Sequence, residues 1–89
     1  MKKIICSIEL FDLYQSIQIA DTETGKIEEV AKVPRDDLEE TIAAVSYKYQ
    51  IPQIILSGHP FGEQIAQDII EYSKTTYNKN IELNVEVIK

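Results

Sequence analysis

Two carboxylates, Glu9 and Asp12, stand three positions apart near the start of the chain, and Ser57-Gly58-His59 brings a hydroxyl and an imidazole together further on. Carboxylate oxygens are the ligands that hard divalent cations prefer, so Glu9 and Asp12 could hold Mg²⁺ or Mn²⁺ if the fold brings them to one opening. The ordinary alternatives are a wet sheet face or a lysine partner for Glu9 and a turn for Asp12. His59 is the single histidine of the chain and the side chain best suited to proton transfer near neutrality, with Ser57 and Asp12 as possible neighbours. A histidine directly before Pro60 also serves as a loop or helix-start residue. Cys6, the single cysteine, falls among apolar residues where a thiol behaves as a small hydrophobe, so it is expected to be inert. Gly58 and Gly62 lack the spacing, and the lysine, of a phosphate-binding loop.

A second feature is electrostatic. Asp21, Glu23, Glu28, Glu29, Asp36, Asp37, Glu39 and Glu40 are eight of the 15 acidic residues. A solvated face explains them most simply. Asp36, Asp37, Glu39 and Glu40 would otherwise meet a basic protein, or mimic nucleic-acid phosphates as an inhibitor or adaptor. Tyr14, Tyr47, Tyr49, Tyr72 and Tyr77 could anchor an interface, although Tyr49 and Tyr72 also fit core stripes.

The elements that must position these residues follow from periodicity. From Lys3 to Leu10, Ile4, Cys6, Ile8 and Leu10 share one side of an extended chain, which predicts a first, internal strand. Tyr14 to Asp21 predicts a second, with Ile17 and Ile19 opposite Ser16 and Gln18. A turn containing Gly25 leads to a third, Ile27 to Val33, where Glu28-Glu29 before Val30-Ala31 breaks alternation as a bulge or a loose edge would. After Pro34, Asp36 and Glu39 have capping-box spacing and open a helix whose stripe is Leu38, Ile42, Val45 and Tyr49, with Thr41 and Ala44 alongside. Gln53 to Ser57 is a short apolar run between Pro52 and Gly58, as expected of a central strand covered on both faces by helices. Pro60 suits the first turn of a second helix running to about Tyr77, with Ile65, Ala66, Ile69, Ile70 and Tyr72 inward. Asn78-Lys79-Asn80 then turns into a half-exposed edge strand through Ile81, Leu83, Val85 and Val87.

Right-handed crossovers place this β-β-β-α-β-α-β order in a five-stranded mixed sheet, 3-2-1-4-5, with strand two antiparallel. Strands one and four are then parallel neighbours whose connections diverge, a switch point at which Glu9, Asp12, Ser57, Gly58, His59 and Phe61 should line one crevice. Length and charge set the outer limits. With 89 residues, 9 Lys+Arg against 15 Asp+Glu and a net charge of −6, a single domain over 1–89 is expected, and phosphate-backbone affinity is disfavoured. The lone cysteine and the absence of any long apolar run point to a cytoplasmic protein without a membrane span.

The arrangement resembles the ribonuclease H-like superfamily, which includes Holliday-junction resolvases and the lobes of actin-like ATPases. Ile5-Cys6-Ser7-Ile8-Glu9-Leu10 is similar to that superfamily's first strand, with Glu9 at the place of its metal-binding aspartate. Ile54-Ile55-Leu56-Ser57-Gly58 with Phe61-Gly62 is similar to the fourth strand and its exit, where Ser57, Gly58 and His59 stand in place of the resolvase carboxylate. That superfamily's final helix, with its usual acidic residue, is expected to be missing. The resemblance therefore implies a catalytically incomplete domain acting as a binding or assembly module, with a protein partner or a second copy and no expected cofactor. The alternative it implies is a metal-dependent nuclease using Glu9 and Asp12 with Mg²⁺ or Mn²⁺.

Overall fold

A computed structural model describes residues 1–77 and 82–88. The strands are β1 (Lys2–Ser7), β2 (Tyr14–Asp21), β3 (Ile27–Pro34), β4 (Gln53–Ser57) and β5 (Asn84–Ile88), and the helices are α1 (Leu38–Tyr49) and α2 (Gly62–Tyr77). They form one sheet in the order β3-β2-β1-β4-β5. β1 runs antiparallel to β2 and parallel to β4, with Ile4 beside Ile54 and Cys6 beside Leu56, and β4 runs parallel to β5. The expected α/β topology, a five-stranded mixed sheet with strand two antiparallel, is the one observed.

The meander forms for local reasons. Gly25, at φ 75°, turns the chain between β2 and β3, and its N–H donates to the Asp21 carbonyl at 2.8 Å while Asp21 N–H donates to the Lys26 carbonyl at 2.8 Å. Between the pairs Ile17–Ala31 and Gln18–Glu29, Val30 has no partner. This is the expected bulge, and it twists the β3 edge. The α1–β4 connection closes on itself: Ser46 Oγ donates to the Ile51 carbonyl at 2.6 Å and Ile51 N–H donates to the Ser46 carbonyl at 3.0 Å. Gln50 sits between them in the left-handed region, at φ 58°.

Ile4, Cys6 and Ile8, Ile17 and Ile19, and Ile54 and Leu56 point to one side of the sheet, where Leu38, Ile42 and Val45 of α1 and Ile65 and Ile69 of α2 cover them. Each fully buried large aliphatic side chain contributes about 1.5–3 kcal/mol relative to exposure. The expectation that β4 is covered on both faces is overturned. α1 and α2 pack against one another on the same side, because both crossovers are right-handed and advance in the same direction along the sheet. The opposite face carries Lys3, Ile5 and Ser7, Ser16 and Gln18, Ile55 and Glu86 and has no helix among the described residues.

Several local expectations are also corrected. β1 ends at Ser7, so Glu9 and Leu10 lie beyond it. Asp36 and Glu39 make no capping box: Arg35–Asp37 is a 3-10 turn, no side chain caps α1, and Glu39 instead binds Arg35 Nη1 at 2.8 Å. Tyr49 is exposed, while Ala43 and Ser46 take core positions on α1. Pro60 precedes α2, which begins at Gly62. The turn expected at Asn78-Lys79-Asn80 and the start at Ile81 lie outside the described residues.

Candidate functional site

The switch point exists as topology, but backbone fills its mouth. Ile8 N–H donates to the Ser57 carbonyl at 2.8 Å, one residue past the end of β1. Gly58 follows at φ 88°, and a Cβ there would come 2.5 Å from the Ile8 carbonyl oxygen. Only glycine combines that φ with so close a backbone approach. The two strand exits are thereby pressed together, and the single crevice expected from the sequence becomes two openings.

The first, of about 230 Å³, is lined by Glu9 and Asp12 with Ser7, Ser16, Gln18 and Lys32. Glu9 and Asp12 thus both line this opening. The residue that brings them together is Gln15, which is buried. Its side chain acts as a surrogate backbone: Oε1 accepts from Glu9 N–H at 2.8 Å and Nε2 donates to the Glu9 carbonyl at 2.8 Å and the Asp12 carbonyl at 3.3 Å. A further turn bond runs from Asp12 N–H to the Glu9 carbonyl at 3.2 Å. The signal was present in the alternation of β2, where Gln15 falls on the apolar face with Ile17 and Ile19. A buried polar residue in an apolar register is there to satisfy something.

The donors around this opening are carboxylate, hydroxyl and amide oxygens, which suit a hard cation, but the Lys32 ammonium shares the lining and opposes one. Among the described residues no three His, Cys, Asp or Glu side chains converge on a common point. Glu9 and Asp12 are both exposed, so they retain water as a competing partner.

The second opening, of about 280 Å³, is lined by His59, Phe61, Gly62, Gln64 and Val87. His59 Nδ1 accepts the Phe61 N–H at 2.9 Å, so the imidazole closes the turn into α2, in keeping with a helix-start role. Ser57 and Gly58 form the join between the openings, and neither is presented to His59 as part of a relay in the contacts observed. The Cys6 thiol is buried, and burial pushes its pKa up to about 11 against a partial lowering by the Arg35 charge. It remains protonated and unreactive at neutral pH. In the acidic stretch Asp36, Asp37 and Glu40 are exposed, and Glu39 is engaged by Arg35.

What the sequence did not disclose is the loop between β1 and β2. Phe11 is 99% exposed and Leu13 83%, with Leu10 and Tyr14 also exposed beside them. Phe61 stands exposed at the same end of the sheet. Leu10-Phe11-Asp12-Leu13 reads as a plain connection, since hydrophobic residues between two strands are as readily inward as outward.

No protein-family model matches the chain, and no curated protein matches it. Among solved structures, Pelota of Archaeoglobus fulgidus aligns with a TM-score of 0.59 and 17% identity over 99% of this chain and 26% of its own. The chain thus spans about a quarter of that protein, and the likeness is one of fold. A Fowlpox virus resolvase in complex with Holliday junction DNA aligns with a TM-score of 0.43 and 23% identity over 94% of this chain and 60% of its own. The Ppx/GppA phosphatase of Aquifex aeolicus aligns with a TM-score of 0.39 and 16% identity over 99% and 35%. At those scores neither adds to what the topology already establishes.

Proposed function

We propose that this chain is a ribonuclease H-like binding module that engages a protein partner through the β1–β2 loop. The carrying observation is the pairing of near-complete exposure at Phe11 and Leu13 with the clamp by which Gln15 holds that loop. Apolar side chains are displayed on a loop whose ordering cost has already been met in the free protein, the condition under which buried aromatic anchors become binding hot spots. The acidic balance disfavours a nucleic-acid partner. Affinity capture with the wild type and with a Phe11→Ser, Leu13→Ser variant tests the reading. A protein retained by the first and lost from the second, at unchanged melting temperature, supports it; equal retention by both rejects it.

A second reading rests on the shared opening of Glu9 and Asp12: a metal-dependent nuclease completed by a partner's ligand. Calorimetric titration with Mn²⁺ addresses it separately, because saturable binding abolished by Glu9→Gln is required, together with cleavage of a branched DNA. An isotherm without saturation eliminates it.

A further inference from the structure

The two edges of the sheet are unlike. The β3 edge is guarded by the bulge at Val30, by Glu28, Glu29 and Lys32, and by Pro34 at its end, all features that discourage another strand from pairing. β5, Asn-Val-Glu-Val-Ile, forms the opposite edge and has no bulge or proline. Asn84 N–H donates to the Pro52 carbonyl at 2.9 Å. The N–H and C=O of one residue leave a strand on the same side, so Asn84, Glu86 and Ile88 turn theirs toward β4. Those of Val85 and Val87 turn outward, and among the described residues nothing takes them.

The side chains of Val85 and Val87 face the opposite way from Glu86, toward α2. There, with Ala66 and Ile70 at its apolar part and Glu63, Gln64 and Gln67 along its polar rim, they line a groove of about 480 Å³ alongside the free edge. A strand and a helix flanking an open groove form the geometry that accepts an extended peptide as an added strand. In an antiparallel addition, the residues opposite Val85 and Val87 exchange backbone hydrogen bonds with them and point their side chains into the groove. The residue between points to the other face, beside Glu86.

Charge selects the occupant. Glu86 is exposed, pairs in register with Ile55, and has no counter-charge among the described residues; Glu82, also exposed, lies just ahead of the strand. We infer that the β5 edge binds an extended peptide of a partner protein in which two apolar residues flank a lysine or arginine, the apolar pair entering the α2 groove and the cation meeting Glu86. A second copy of β5 paired so that Val85 lies opposite Val87 fits poorly, because its Glu86 would lie against the first at the twofold axis, and like charges directly opposed destabilise a pair.

The site is distinct from the β1–β2 loop and can be tested apart from it. A fluorescent short peptide alternating valine and lysine is titrated against the full chain by anisotropy, with amide shifts followed by NMR. Expected results are saturable binding, shifts centred on Val85, Val87 and Ile70, and a loss of at least about tenfold in affinity when alternate peptide nitrogens are methylated. The surface change Glu86→Lys should weaken this peptide by a similar factor and make an alternating valine–glutamate peptide the better ligand. Phe11→Ser should leave binding unchanged. Equal binding by the Glu86→Lys protein, indifference to N-methylation, shifts centred on the β1–β2 loop, or no saturation up to about 1 mM each overturns the inference. So does a stable dimer in sedimentation equilibrium that buries β5.

Discussion

At the scale of single residues, the site depends on side chains that do backbone work. Gln15 satisfies both the N–H and the C=O of Glu9, groups that β1 can no longer pair once it has ended at Ser7. Gln15→Leu keeps the volume and removes three hydrogen bonds from a buried position. The expected cost is about 1–3 kcal/mol per stranded polar group, offset in part by water reaching the loop, and is read from urea denaturation. Faster amide exchange at Glu9 and Asp12 should accompany it, whereas a loop free of the clamp would show no change. Cys6 makes a pH-dependent contribution. Its thiol is raised from 9.0 to about 11 in the folded chain, so the folded state keeps a proton that the unfolded chain gives up. The associated stability is fully present below pH 9.0 and is lost as pH rises toward about 11. Melting curves across that window should fall less steeply for Cys6→Ala, which begins lower because of the cavity it leaves; parallel curves would mean that the thiol is not the titrating group.

At the scale of elements, junctions carry more of the architecture than helix propensity does. α1 begins without a side-chain cap after a 3-10 turn and is held instead by its buried stripe and by Arg35 on Glu39. Its other end is strained, because Gln50 occupies the left-handed region at φ 58°. A residue with a Cβ pays roughly 1–2 kcal/mol in that conformation, and glycine does not. Gln50→Gly should therefore stabilise the protein, by an amount reduced by the greater freedom of the unfolded chain and by loss of the bond from Gln50 Nε2 to the Tyr47 carbonyl. The net gain, of about 0.5 kcal/mol, shows as a raised urea midpoint at unchanged slope. At the other strand exit Gly58 admits no such freedom, since a side chain there meets the Ile8 carbonyl.

For the whole molecule, the decisive fact is that both helices share one face of the sheet. Adjacent residues of β4 then have very different values. Ile54 is in the core and Ile55 is half-buried on the open face. Ile54→Ala should cost about 2–5 kcal/mol, whereas Ile55→Thr should cost well under half as much. Comparable losses at the two positions in chemical denaturation would indicate a second covering layer. The same two-layer construction leaves the carboxyl ends of β1 and β4, the open face and the β5 edge available together. The carboxyl ends hold the carboxylates and exposed aromatics, and the β5 edge holds the unpaired backbone groups.

Strand count, strand order, the Gly25 turn, the β3 bulge and the limits of β2 and β4 were legible in the sequence, because period-two alternation and turn chemistry are local and the handedness of crossovers is nearly invariant. That Glu9 and Asp12 fall in one short connection was legible for the same reason, since they stand three positions apart between two strands. The division of the crevice was not, since it depends on Gly58 meeting the Ile8 carbonyl, a contact between residues 50 positions apart. Nor was the side on which α2 lies, because Ile54-Ile55-Leu56 is apolar at every position and gives no alternation from which a buried face could be read. Alternation and turns are written residue by residue; which apolar surface finds a cover is settled only when distant segments compete for it.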